Sequence, residues 1–137
     1  MPYTYHTTIK LYDTDAAGIV FFGNYFRLAH DVYQTFLEEH GIRFADVLGE
    51  GRLLLPIVHA EADYTKPLVV GDKVAITLNC AGISTHSFVL DYEMMRDGSL
   101  SAGKVSTVHV LIDRASNTKT PLPDKLRRAL ETILESE

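Results

Sequence analysis

The chain carries a single cysteine, Cys80, so no disulfide can close within it, and a reducing compartment is expected. No apolar run approaches the roughly 20 residues that a bilayer-crossing helix needs. The opening Met1-Pro2-Tyr3-Thr4-Tyr5-His6 lacks the basic-then-apolar layout of a secretory signal, so a cytoplasmic protein with no membrane insertion is expected. No basic cluster is longer than Lys125 to Arg128 and the formal charge is −5, which argues against a nucleic-acid partner. Phosphate loops, dinucleotide fingerprints and serine elbows are also missing, which sets those reaction classes aside. Without repeats, low-complexity tracts or a linker, the 137 residues make one domain, 1–137.

The rest of the chain is arranged around the stretch from Tyr12 to Gly41. Apolar residues recur at Tyr25, Leu28, Ala29, Val32, Tyr33, Phe36 and Leu37, which is helical spacing. Asn24 is the expected N-cap and Gly41 the expected left-handed residue just past the end. Five strands are expected around this helix: Tyr5 to Leu11, Leu53 to Lys66, Lys73 to Ile83, His86 to Arg96, and Leu100 to Asp113 with a continuation to Asn117. Pro56 marks its strand as an edge or a bulge, because proline has no N–H to donate. Ile42 to Gly51 is a connector with a short turn of helix at Phe44 to Leu48. Asp97-Gly98 is a type I′ hairpin signal, and a terminal helix carries Leu126, Ala129, Leu130, Ile133 and Leu134 on one stripe. Strands joined by short turns make an antiparallel sheet, and one long helix must cover a face of it, so the fold class is α+β. Such a sheet leaves edges exposed, and pairing with a second copy is the expected remedy.

Asp13 and Asp15 precede the helix. An isolated Asp-x-Asp is ordinarily turn chemistry, in which the carboxylates hydrogen-bond nearby amides. Here Gly18 allows close backbone approach, and a helix start with free N–H groups follows within ten residues. A carboxylate beside amides that can hold an oxyanion is what acyl transfer requires. His59, Glu61 and Asp63 alternate along one strand and share a face, but no His-x-His or His-Glu-x-x-His spacing supports a metal, and none is expected. His59, beside Pro56, is placed either near a pocket or in a structural role. His30, Asp31, His40 and His109 are read as structural, and Cys80 as a buried inert thiol. The seven tyrosines and six phenylalanines suit either an aromatic pocket or a core.

The run Tyr12-Asp-Thr-Asp-Ala-Ala-Gly-Ile-Val-Phe-Phe-Gly-Asn-Tyr25 resembles the signature of the hotdog-fold acyl-CoA thioesterases of the 4-hydroxybenzoyl-CoA thioesterase family. Leu55 to Asp72 resembles that family's second strand and following turn. The resemblance implies a five-stranded antiparallel sheet wrapped on a long central helix, with a short C-terminal helix. It implies Asp15 as the catalytic carboxylate and the amides around Phe22 and Gly23 as the oxyanion elements; Gly18, from its place in the loop, and His59, from its place beside the proline-bent edge, are expected to join them in binding the substrate. The implied activity is hydrolysis of an aromatic acyl-CoA without a cofactor. Leu55 to Ala60, Ser84 to Phe88 and Pro121 to Pro123 further resemble the branch acting on 1,4-dihydroxy-2-naphthoyl-CoA in phylloquinone and menaquinone synthesis. The alternatives are 4-hydroxybenzoyl-CoA or short or aliphatic acyl-CoA as substrate, or a non-catalytic acyl-CoA-binding domain. The implied assembly is a homo-oligomer, a dimer or a tetramer of dimers, with active sites at the subunit interface. One departure is that the family's basic cluster for the CoA phosphates falls on Ser84-Thr85-His86.

Overall fold

A computed structural model describes residues 1–135. The order of elements is β1 (Tyr3–Thr8), α1 (Asn24–Glu39), α2 (Phe44–Val47), β2 (Leu53–Leu54), β3 (Ile57–Tyr64), β4 (Lys73–Ile83), β5 (Ser87–Arg96), β6 (Leu100–Val110), β7 (Ile112–Asp113), β8 (Thr118–Lys119) and α3 (Asp124–Glu131). The main sheet is antiparallel with strand order β1-β4-β5-β6-β3. Its outer strands come from the beginning and middle of the chain, and its centre is the meander β4-β5-β6.

The helix falls where its periodicity places it. Tyr25, Leu28, Ala29, Val32, Tyr33, Phe36 and Leu37 are its buried residues. They pack against Val74, Ile76 and Leu78 of β4, Phe88, Leu90, Tyr92 and Met94 of β5, and Val105 of β6, all in one core cluster. Each such Leu or Phe contributes about 1.5–3 kcal/mol when removed fully from water. The helix ends as expected, with Gly41 at φ 72° and the Ile42 N–H bonded to the Leu37 carbonyl at 2.9 Å, a Schellman closure. Its start differs from expectation. Gly23 occupies the N-cap position without a side-chain cap, and Asn24 instead donates its Nδ2 to the Asp13 carbonyl at 2.8 Å. The first amides, those of Asn24, Tyr25 and Phe26, bond back three residues to Phe21, Phe22 and Gly23, so an asparagine cap is not needed.

The hairpin at Asp97-Gly98 has φ values of 51° and 79°, as a type I′ turn requires. β1 ends earlier than the β-prone run suggests: the chain leaves the sheet after Thr8, and Leu11 and Tyr12 are exposed in a single 3₁₀ turn that buries Asp13. The expected Leu53 to Lys66 strand is two. Pro56 interrupts it, so that β2 pairs with β7 while β3 pairs with β6. The expected fifth strand also breaks, at Leu111, and β2-β7-β8 form a small separate sheet.

His109 of β6 lies in the core. It stacks on Phe88 (centroids 4.8 Å apart, 8° between planes) and its Nε2 is 2.8 Å from the Thr107 hydroxyl. Burial, with a smaller push from His30, lowers its pKa to about 4, so the ring is neutral at ordinary pH. The Cys80 thiol is buried, and burial pushes it up to about 11.

Candidate active site

Asp13 fixes the segment before the helix. It is 1% exposed, and one carboxylate oxygen accepts the Lys10 N–H at 2.8 Å while the other pairs with Arg27 on the first turns of α1. Arg27 also reaches Asp31 at 3.0 Å and lies over the Tyr12 ring. The Asp13 carbonyl accepts from Phe21 N–H and from Asn24. Both ends of the intervening loop are thus tied to one residue.

Between those ties the chain makes a tight excursion. The Gly18 N–H bonds to the Asp15 carbonyl at 3.0 Å, and the Asp15 N–H to the Ile19 carbonyl at 2.9 Å. Gly18 sits at φ 82°, a left-handed conformation that side chains resist, and a Cβ there would meet no atom within 4 Å. The glycine therefore serves the backbone conformation, and it leaves the space beside Gly18 open. The loop holds Asp15 exposed. Its Oδ1 accepts the Ala17 N–H at 2.8 Å, an Asx turn, while Oδ2 has no hydrogen-bond partner among the described residues.

Asp15 opens onto a cleft of about 400 Å³ that it shares with Ile19, Val20, Phe22, Tyr25, Tyr64 and Lys66. The wall is aromatic. Tyr64 meets Tyr25 edge to face at 4.7 Å, and Phe22 lies 6.4 Å away across it. Gly103 of β6 makes this possible, since a Cβ there would come within 2.8 Å of both the Tyr25 ring and the Asp63 carbonyl. Phe22 lines this cleft and Gly23 follows it in the chain, and the N–H groups of both have no acceptor among the described residues. They lie on the last turn before α1, where the helix dipole adds positive potential.

Asp15, Phe22 and Gly23 are thus gathered at one place, with Gly18 shaping the loop. His59 is not among them. It shares the outer face of β3 with Glu61, 3.9 Å from its carboxylate, and with Asp63, in register with outward-facing Val108, Ser106 and Lys104 of β6. Tyr64 lies on the opposite face of that strand. The expectation of His59 near the pocket is therefore corrected by strand parity: five residues of strand, about 17 Å, separate it from Tyr64. Tyr64 and Lys66 were not singled out by sequence. The parity that aligns His59, Glu61 and Asp63 is the signal that sets Tyr64 on the helix side.

Residues 9–130 match the thioesterase-like superfamily. The 1,4-dihydroxy-2-naphthoyl-CoA hydrolase of Nostoc punctiforme is 38% identical over 132 residues, covering 96% of this chain and 88% of that one. Among solved structures, a 1,4-dihydroxy-2-naphthoyl-CoA thioesterase from Synechocystis superposes with a TM-score of 0.89 at 30% identity, covering 95% of this chain and 96% of its own. A gentisyl-coenzyme A thioesterase superposes with a TM-score of 0.80 at 29% identity, covering 93% and 99%. By sheet order, by the helix laid across it and by a match that runs nearly end to end, the chain belongs to the thioesterase-like superfamily of hotdog fold.

Proposed function

We infer that the protein hydrolyses an aromatic acyl-CoA thioester, with 1,4-dihydroxy-2-naphthoyl-CoA as substrate, in phylloquinone or menaquinone synthesis. One observation carries the reading: Asp15, with one carboxylate oxygen unpartnered among the described residues, and Phe22 line the same apolar, aromatic-walled cleft, and the adjoining Phe22 and Gly23 amides have no acceptor among those residues. The amides hold the thioester oxygen as it gains charge. Asp15 either attacks the thioester carbon, giving a mixed anhydride that water opens, or takes a proton from the attacking water. In both routes a C–O bond replaces the C–S bond, the sulfur leaves as thiolate, and the acyl group ends as carboxylate. A thiolate leaves without protonation, so no separate general acid is required. The substrate follows the names of the relatives and suits the aromatic wall. The test is thiol release across aryl, short-chain and long-chain acyl-CoA. Preference for the dihydroxynaphthoyl thioester supports the reading, a preference for aliphatic chains transfers it to the short or aliphatic class, and binding without release leaves a non-catalytic domain.

The assembly follows from β3. No residue of this strand is buried, Val58 is 57% exposed, and the side away from β6 has no strand partner among the described residues. An unprotected apolar edge of this length calls for pairing, and a second copy joined there would roof the cleft at the end of the strand. The protein is thus a homo-oligomer with active sites at the subunit interface. Sedimentation reads this directly, and a monomer at micromolar concentration removes the proposal. The cytoplasm is the assigned location, in keeping with a single buried thiol and a CoA substrate.

A further inference from the structure

Tyr64 lies outside the catalytic loop, on the last position of β3, yet its hydroxyl donates to the Phe22 carbonyl at 3.1 Å. The same carbonyl accepts the Tyr25 N–H at 3.3 Å. That carbonyl belongs to the peptide group whose other end is the Gly23 N–H. In a trans peptide the two point in opposite directions, so two donors on the oxygen fix the plane and aim the N–H away from them. They also polarise it. Withdrawing electron density at the oxygen makes the N–H of the same amide a stronger donor, as in any hydrogen-bonded chain.

We propose that Tyr64 is a positioning residue for the oxyanion site: its hydroxyl orients and polarises the Phe22–Gly23 peptide so that the Gly23 N–H donates to the thioester oxygen. The proposal rests on the reading of that amide as an oxyanion donor. The ring is held for the task by edge-to-face contact with Tyr25 at 4.7 Å and with Phe22 at 6.4 Å. Burial holds its phenol above the ordinary value, which keeps the hydroxyl protonated and able to donate throughout the working range. Because Tyr64 ends the exposed edge strand, it also links that edge to the reacting atoms. Nothing else in the cleft approaches this carbonyl from the side-chain direction among the described residues.

Tyr64→Phe keeps the ring and its contacts and removes only the donor. Its kcat should fall about three- to tenfold, the worth of one neutral hydrogen bond, with KM moved by less than twofold. The deciding measurement is the infrared carbonyl stretch of 4-hydroxybenzoyl-CoA carrying ¹³C at the thioester carbon, bound at saturation to Asp15→Asn protein that cannot turn it over. The bound carbonyl should absorb at lower frequency than in water. In the double variant Asp15→Asn/Tyr64→Phe part of that downshift should be lost, and with 3-fluorotyrosine at position 64, a stronger donor, it should grow. An equal downshift in all three proteins overturns the role of Tyr64. No downshift with Tyr64 intact overturns the oxyanion site itself. A residue that merely packs would give the same carbonyl frequency for phenylalanine, tyrosine and fluorotyrosine, so the series separates positioning from structure even if one variant folds less well.

Discussion

Asp15→Asn should lose at least about a thousandfold in kcat while still binding aromatic acyl-CoA, because on the proposed reading the group removed is the one that attacks or activates water, and no second carboxylate or imidazole lines the cleft among the described residues. The substitution is nearly isosteric. Its amide oxygen can still accept the Ala17 N–H, so the Asx turn and the loop around Gly18 survive. Stability should therefore be unchanged, and the loss should appear in single-turnover thiol release at saturating substrate. Asp15→Ala should behave alike in rate. A kcat within tenfold of wild type for the asparagine variant would show that some other group does the chemistry, and would remove Asp15 from it.

Asp13, two residues earlier, should fail in the opposite way. Asp13→Ala is expected to cost about 2–4 kcal/mol of stability, read from urea unfolding, because a buried carboxylate that satisfies Arg27 and the Lys10 N–H disappears. The figure sits below that for a fully buried pair, since the Arg27 side chain is 42% exposed and keeps Asp31 as a partner. Activity should fall as well, through loosening of the segment that carries Asp15. Asp13→Asn retains an acceptor for the Lys10 amide and should lie between alanine and wild type. If Asp13→Ala unfolds at the wild-type urea midpoint, the residue does not hold the loop.

The separation of these aspartates illustrates what can be read from a chain and what needs the fold. Helix periodicity named the buried face of α1 residue for residue, since a 3.6-residue repeat needs no knowledge of its neighbours. The Asp97-Gly98 turn was legible for the same reason. Asp15 stood out through its place before a helix start and through the family motif, and the fold sets it on the cleft. The partner of Asp13 was not, because Arg27 lies fourteen positions on and meets it only when the loop folds back on the helix. Strand ends were hidden where tertiary pairing decides them: Pro56 and Leu111 divide runs whose β-propensity is continuous, so that β2 and β7 can pair apart from the main sheet. His59 was misplaced because alternation says which residues share a face and leaves open which face meets the helix.

The strand order of the main sheet also sets the sequence in which this site can be assembled. The β4-β5-β6 meander joins neighbours through short turns, so its contacts close small loops and form at little entropic cost. β1 must instead reach β4 across 65 residues, as from Thr8 to Lys73, and β3 must find β6 on the far edge. Both outer strands hold the cleft, because β1 delivers the loop with Asp15 and β3 ends in Tyr64. The candidate site is thereby hung on the main-sheet pairings of longest sequence separation, so a nascent chain can own a formed hydrophobic meander well before it owns this cleft.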